Sequence, residues 1–176
     1  MITVWLLNGL VIVIFLVMAQ YVYYDWKLGA AATPSSSRAI RAVIDVLPEN
    51  AKNIIELGSG WGGMAKAVAQ ARPDAQVTGI EFALWPYLAS KLKAGGLSNL
   101  TFLRQDFFKY DLSTADVVLC YMPPEMMERL PPKLKADLKS GAVIISNSAD
   151  LPGFSAEKSV QLTGFLAEKI LVYKVV

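Results

Sequence analysis

The sequence NIIELGSGWGG, which occupies residues 53–63, decides the fold. An apolar run that ends in a carboxylate and breaks into alternate glycines predicts a strand that turns into a helix over a bound ligand. Gly58, Gly60 and Gly63 would allow the tight turn, the close approach of backbone to ligand and the close packing of helix on strand. This spacing alone is weak evidence, because glycine-rich turns also close strands for steric reasons only.

Two carboxylates narrow the choice of ligand. Glu56 stands two places before the first glycine, where an ordinary dinucleotide-binding strand carries an apolar residue. A carboxylate there can hold a cationic amino group, which S-adenosylmethionine has and NAD lacks. Glu81 ends the next strand, at about the 20-residue distance where an acidic side chain meets ribose hydroxyls. Each carboxylate could instead be a solvated cap. Together they favour S-adenosylmethionine as cofactor, bound by Glu56, Gly58, Ser59, Gly60 and Glu81.

The order of strands and helices predicts the fold class. Apolar strand-like segments alternate with helical patterns, which implies an α/β, Rossmann-like doubly wound sheet that is mainly parallel. A helix is expected over Leu130 to Leu138, broken at Pro131-Pro132. The last two apolar segments, Val160 to Phe165 and Lys169 to Val175, predict a C-terminal antiparallel hairpin.

The N-terminal segment predicts one transmembrane helix. Ile2 to Tyr24 carries no charged residue and is long enough for the roughly 30 Å hydrocarbon core of a bilayer. A cleaved signal peptide is the alternative, but no basic residue precedes the apolar run. Lys and Arg only follow the helix, so a single-pass membrane protein with its catalytic domain on the cytoplasmic side is expected. The predicted organisation is a transmembrane anchor at 1–26, a linker at 27–32 and a catalytic domain at 33–176.

Composition excludes several classes of function. The 17 basic and 15 acidic residues leave a net charge of +2, which gives no argument for a nucleic-acid partner. The chain has no histidine, which excludes Ser-His-Asp and Cys-His catalysis and most zinc sites, and no metal is expected. The single cysteine, Cys120, lies in an apolar strand and is interpreted as a small buried hydrophobe in a reducing compartment.

Further candidates follow the third and fourth predicted strands. Asp106 could hydrogen-bond the exocyclic amine of adenine while Phe107 packs on the purine, although a solvated loop Asp is the alternative. Tyr121, Pro123 and Pro124 follow the fourth strand, at the edge where open α/β sheets place their reacting groups. We expect them to orient the methyl acceptor.

The order of these parts resembles the class I, seven-β-strand S-adenosylmethionine-dependent methyltransferases. More narrowly, the chain is similar to the membrane-anchored protein-lysine methyltransferases of mitochondria and their soluble archaeal relatives. The narrower likeness lies in the apolar N-terminal helix, the Thr33-Pro34-Ser35 segment, and Val117-Val118 followed by Pro124-Glu125-Met126-Met127.

The resemblance implies methylation of lysine side chains in a protein near the membrane, with Thr33 helping to form the cofactor pocket. Phe82 follows Glu81 at the rim of the adenine pocket, where the family tends to have Asn-Pro. Two alternatives stay open: methylation of a lipid-soluble small molecule, and a non-catalytic cofactor-binding module at the membrane. A nucleic-acid adenine methyltransferase would need other residues at Met122 and Glu125.

Overall fold

The computed structural model describes residues 2–28, 34–163 and 168–176. It divides the chain into two compact units, Met1–Ala31 and Ala32–Val176. The first contains one helix, α1, at Ile2–Leu28. The described side chains of α1 are almost all apolar, and most of them are exposed. By length and hydropathy taken together, no helix in the described ranges qualifies as a membrane span. The predicted transmembrane helix is therefore not confirmed.

The second unit alternates helices and strands, as the sequence predicts. Its helices are α2 (Ser37–Val46), α3 (Gly63–Ala71), α4 (Leu84–Ala94), α5 (Pro124–Met127) and α6 (Leu130–Asp137). Its strands are β1 (Asn53–Leu57), β2 (Gln76–Glu81), β3 (Leu100–Arg104), β4 (Val117–Cys120), β5 (Val143–Asn147), β6 (Ala156–Gln161) and β7 (Lys169–Lys174).

Within the described residues, all seven strands form one sheet in the order β3-β2-β1-β4-β5-β7-β6. The first five strands are parallel, whereas β7 pairs antiparallel with both β5 and β6. The α/β sheet with a C-terminal antiparallel hairpin is therefore confirmed. The chain order reverses between β1 and β4, and open sheets of this kind bind ligands at the carboxyl ends of the strands beside that reversal.

Helices α2 and α3 pack in one hydrophobic core beside the glycine turn. Helix α3 buries Met64, Ala65, Val68 and Ala69, and α2 adds Ala39, Ala42 and Val43 to the same cluster. The sheet contributes Ile54, Val117, Leu119 and Ile145, which share one face. Burying a side chain of this size contributes roughly 1.5–3 kcal/mol. This packing holds the start of α3 directly over the end of β1.

Two sequence expectations need correction. The helix around residue 130 is not broken by Pro131-Pro132, because these prolines occupy its first turn, where a missing N–H costs no helical hydrogen bond. Strand β6 covers Ala156–Gln161 and not the predicted Val160 to Phe165. Part of that predicted strand, from residue 164 onward, lies outside the described residues, as does most of the predicted turn before β7.

Candidate active site

The loop after β1 is shaped by left-handed glycines. Gly58, Gly60 and Gly62 have φ values of 67°, 52° and 75°, a region that side chains with a Cβ rarely adopt. A Cβ at Gly62 would lie 2.6 Å from the Ser90 Cβ and 2.7 Å from the Phe102 Cζ. The third glycine that the turn requires is therefore Gly62, and the prediction of Gly63 was wrong. Gly63 is the first residue of α3.

Glu81 joins the end of β2 to this loop. Its Oε2 accepts a hydrogen bond of 2.7 Å from the Gly60 N–H, and its Oε1 accepts one of 2.7 Å from the Ala83 N–H. Burial raises the pKa of Glu81, while the backbone hydrogen bonds from Ala83, Gly60 and Phe82 oppose that rise. Each carboxylate oxygen has a second lone pair, so the group can still accept hydrogen bonds from ribose hydroxyls.

Glu56 lies beneath the loop, at the penultimate position of β1. It is only 6% exposed, and its Oε2 accepts a hydrogen bond of 2.9 Å from the Ala65 N–H in the first turn of α3. The pKa of Glu56 is raised from 4.5 to about 8: burial is the main cause and repulsion from Glu81 adds to it, while the Ala65 hydrogen bond opposes the rise. A buried carboxyl with this pKa is ready to ionise as soon as a cationic group arrives.

The loop has room for a ligand backbone. A Cβ built on Gly58 would meet nothing within 4 Å, so the loop is open on that side. Two carboxylates, one on each side of an open glycine turn, fit the ammonium and the ribose of S-adenosylmethionine. Ser59 does not face that opening, because its Oγ lies 2.9 Å from where a Cβ on Gly79 would sit and its N–H donates to the Ile80 carbonyl. The Ser59 Oγ is buried and has no hydrogen-bond partner among the described residues, and its predicted role as a cofactor ligand stays a prediction.

The predicted adenine contacts lie where β2 and β3 end. Asp106 caps a short 3-10 turn, Phe107–Lys109, through a 2.9 Å hydrogen bond from the Phe108 N–H to Asp106 Oδ1. Phe107 is buried, with its ring centroid 4.5 Å from that of Phe108. Phe82 is 37% exposed. The roles of Asp106, Phe107 and Phe82 toward adenine stay predictions.

The predicted acceptor-binding residues follow β4, which lies beside β1. Tyr121 is half-buried there. The Pro123 carbonyl accepts hydrogen bonds from the Met126 and Met127 N–H groups, at 3.0 and 3.1 Å, and the Pro124 carbonyl accepts one from Glu128. Pro123 and Pro124 start α5, and their predicted role in orienting the amine stays a prediction. Tyr121 likewise remains a candidate. Thr33 lies outside the described residues, so its predicted place in the cofactor pocket has no structural description.

A family model described as the ANTKMT methyltransferase domain matches residues 56–158, which is more than half of the chain. The chain belongs to this family. The matched range begins at Glu56 and includes the glycine loop, Glu81, Asp106 and Tyr121. The predicted class I methyltransferase identity, with S-adenosylmethionine as cofactor, is thereby confirmed at the level of the family.

The chain is also similar to proteins from distant organisms. A protein-lysine N-methyltransferase of Saccharolobus islandicus strain REY15A is 23% identical over 73% of this chain and 83% of its own length. The adenine nucleotide translocase lysine N-methyltransferase of Mus musculus is 27% identical over 80% of this chain. The match spans only 61% of that mouse protein.

Solved structures show the same methyltransferase fold. An RNA methyltransferase from Salinibacter ruber, in complex with S-adenosylhomocysteine, superposes with a TM-score of 0.74 at 23% identity, over 81% of this chain and 94% of its own. At this identity the likeness establishes the fold and does not select an acceptor.

One candidate residue was missed by sequence reasoning. Asn147, the last residue of β5, is 2% exposed, and its Nδ2 has no hydrogen-bond partner among the described residues. A polar residue at the end of a buried strand was the only signal in the sequence, and a strand-terminal Asn is also common in ordinary turns.

Proposed function

We propose that this chain is a membrane-attached S-adenosylmethionine-dependent methyltransferase that methylates lysine side chains of proteins. The observation that carries the proposal is the pair of buried carboxylates, Glu56 and Glu81, on either side of the open glycine loop. The lysine acceptor is supported by the archaeal and mouse relatives, both of which are named as lysine methyltransferases.

The two carboxylates divide the cofactor between them. Glu56 would hold the ammonium group, and Glu81 would accept from the ribose hydroxyls while keeping Gly60 in place. When bound, S-adenosylmethionine supplies a methyl group that is already activated by its positive sulfur. The protein therefore needs to provide alignment and a dry site more than acid–base chemistry.

The acceptor amine must be neutral to react. A lysine ammonium has a free pKa of about 10.4, which desolvation beside apolar walls lowers. Once the proton has left to solvent, the nitrogen lone pair forms the new N–C bond as the C–S bond breaks and its electrons stay on sulfur. Tyr121, half-buried at the end of β4, would orient the amine during this step. Met122, Met126 and Met127, which follow Tyr121 in the chain, are buried apolar side chains.

Membrane attachment through α1 is part of the proposal. The helix exposes large apolar side chains, among them Trp5, Phe15 and Met18, which are more than half exposed. Exposed apolar area on this scale favours contact with lipid. Attachment would raise the local concentration of membrane-protein acceptors. We place the methyltransferase unit on the cytoplasmic side, because Lys and Arg occur only from Lys27 onward, at the end of α1 and after it, and are absent from residues 1–8.

Labelled S-adenosylmethionine tests the acceptor. The purified full-length chain is incubated with methyl-labelled cofactor and a membrane extract, and label is followed in protein, lipid and soluble fractions. We expect label in protein bands that yield methyl-lysine on hydrolysis. Label confined to the lipid fraction, or cofactor binding without any transfer, would refute lysine methylation.

One matched variant is Glu81→Gln, called the loop variant because this residue at the end of β2 accepts from the Gly60 N–H of the loop, and the other is Glu157→Gln, on the exposed strand β6. Only the loop variant should lose labelling. Protease protection of right-side-out and inverted vesicles tests attachment and orientation. Recovery of the chain in the soluble fraction at low salt would contradict the attachment.

A further inference from the structure

Asn147 has an unpaired side-chain amide in a buried position. Its Oδ1 accepts a hydrogen bond of 2.9 Å from the Ser148 Oγ, whereas its Nδ2 has no partner in the part of the chain that the structure describes. Buried polar groups in folded proteins are normally hydrogen-bonded, and an unpaired one needs a specific explanation, of which a bound ligand is one.

The sheet register places this amide at the candidate active site. Glu56 pairs with Leu119, and Leu119 pairs with Ile145, in successive parallel strands. Because side chains alternate along a strand, Asn147 lies on the same face of the sheet as Ile145 and Glu56. Two strand spacings separate β5 from β1, which is roughly 10 Å. Asn147 lies two residues beyond Ile145, so it is roughly 6.6 Å further along the strand direction than Glu56, at the carboxyl edge of the sheet.

The residue after Asn147 is held in an unusual conformation. Ser148 has a φ of 68°, and it is the only residue other than glycine with positive φ in the described ranges. Its N–H donates to the Lys169 carbonyl at 2.8 Å, and the Ser146 Oγ donates to the Ala149 carbonyl at 2.5 Å. For a residue with a side chain this backbone conformation is unfavourable and persists where surrounding contacts enforce it. Here the enforced turn fixes the position of the Asn147 amide.

We propose that Asn147 binds the methyl acceptor, by donating its free amide N–H to a backbone carbonyl of the polypeptide that carries the target lysine. This inference rests on the proposed function. Strand β4 separates Asn147 from β1 and β2, where Glu56 and Glu81 would hold the cofactor. The Asn147 N–H cannot bind a lysine ammonium, because both groups are hydrogen-bond donors. It also cannot bind the neutral lysine nitrogen, because it would occupy the lone pair that must react. Within the polypeptide that carries the target lysine, a backbone carbonyl is the group that can accept this hydrogen bond.

The test compares two asparagines of similar burial. Asn99 donates from its Nδ2 to the carbonyls of Ala69, Arg72 and Ala75, each at 3.0 Å, so its amide has a structural role. Full-length Asn147→Leu and Asn99→Leu are measured for urea unfolding, for the Kd of S-adenosylhomocysteine, and for the apparent KM toward a solubilised membrane-protein fraction with lysine methylation as the readout. Asn147→Ala repeats the measurement with a smaller side chain, so that an effect of the bulk of leucine can be recognised.

For the Asn147 variants we expect stability equal to or above that of the wild type and a Kd for S-adenosylhomocysteine within twofold. The apparent KM for acceptor should rise about fivefold or more, as loss of one hydrogen bond implies. Asn99→Leu should lose stability. A weakened Kd with unchanged KM would assign Asn147 to the cofactor, and a loss of stability matching Asn99→Leu would make it structural. Either result, or no change at all, overturns the inference. Absence of methyl-lysine with the wild type would instead refute the proposed function.

Discussion

Replacing Glu56 by glutamine should remove both the strong cofactor binding and its dependence on pH. The pKa of Glu56 is raised from 4.5 to about 8, so the free protein carries a proton on this group at pH 7. Binding a cationic ammonium requires the carboxylate, and the proton must therefore leave. Between pH 6 and 7.5, below the range in which an α-amino group deprotonates, affinity should rise about tenfold per pH unit. In Glu56→Gln we expect affinity that is about 2 kcal/mol weaker at pH 7.5 and independent of pH over the same range.

The same group gives a second signature in the stability of the free protein. Because the folded-state pKa lies above the unfolded value, the folded chain binds more protons between pH 4.5 and about 8, and stability falls as pH rises through this window. The full difference corresponds to at most on the order of 5 kcal/mol. Glutamine keeps an oxygen for the Ala65 N–H and never ionises, so Glu56→Gln should be more stable than the wild type at pH 8.5.

Isothermal titration with S-adenosylhomocysteine measures the first signature. Running each pH in two buffers of different ionisation enthalpy counts the protons released, and about one proton per site is expected at pH 6.5. Glu157→Gln, an exposed replacement of the same type, should keep the wild-type slope and proton release. A wild-type affinity that stays flat from pH 6 to 7.5, or a Glu56→Gln variant that retains the slope, would refute the role of Glu56.

Three further predictions concern the loop and the acceptor site. Gly62→Ala should destabilise the chain by roughly 2–4 kcal/mol in urea unfolding, from positive φ and from the contacts with Ser90 and Phe102. Gly63→Ala, with open space around its Cβ, should change stability by less than about 1 kcal/mol, and equal effects of the two would contradict the assignment of Gly62. Glu81→Gln leaves one of two backbone N–H groups, those of Gly60 and Ala83, without its acceptor, so stability should fall by about 1–3 kcal/mol alongside the lost cofactor affinity. A variant with unchanged stability and unchanged cofactor affinity would disprove this role of Glu81. Tyr121→Phe should lower kcat about fivefold with an unchanged Kd for S-adenosylhomocysteine, and an unchanged kcat would remove Tyr121 from the site.

The features that the sequence predicted well depend on local pattern. The strand before Gly58 and the strand that ends at Glu81 are short apolar runs bounded by turn residues, and the helix between them has buried residues at helical spacing. Since parallel strands end at one edge of the sheet, the order of elements was enough to bring Glu56, Glu81 and Tyr121 to that edge. The placement of these side chains therefore followed from residues near them in the chain.

The features that were missed depend on contacts across the sheet. Gly62 and Gly63 are adjacent, and only the approach of Phe102 and Ser90 distinguishes them. Ser59 lies inside the motif, but only the structure shows that its Oγ lies next to the bare backbone of Gly79 in the neighbouring strand. Asn147 is informative only through its burial and its unpaired amide, which no local pattern encodes.

A crystal structure of the full-length chain with S-adenosylhomocysteine tests the central claim most directly. We expect the Glu56 carboxylate within about 3.2 Å of the ligand amino nitrogen, and Glu81 within the same distance of the ribose hydroxyl oxygens. Finding the ligand elsewhere, or finding either carboxylate turned away from it, would contradict the proposal that these two residues hold the methyl donor.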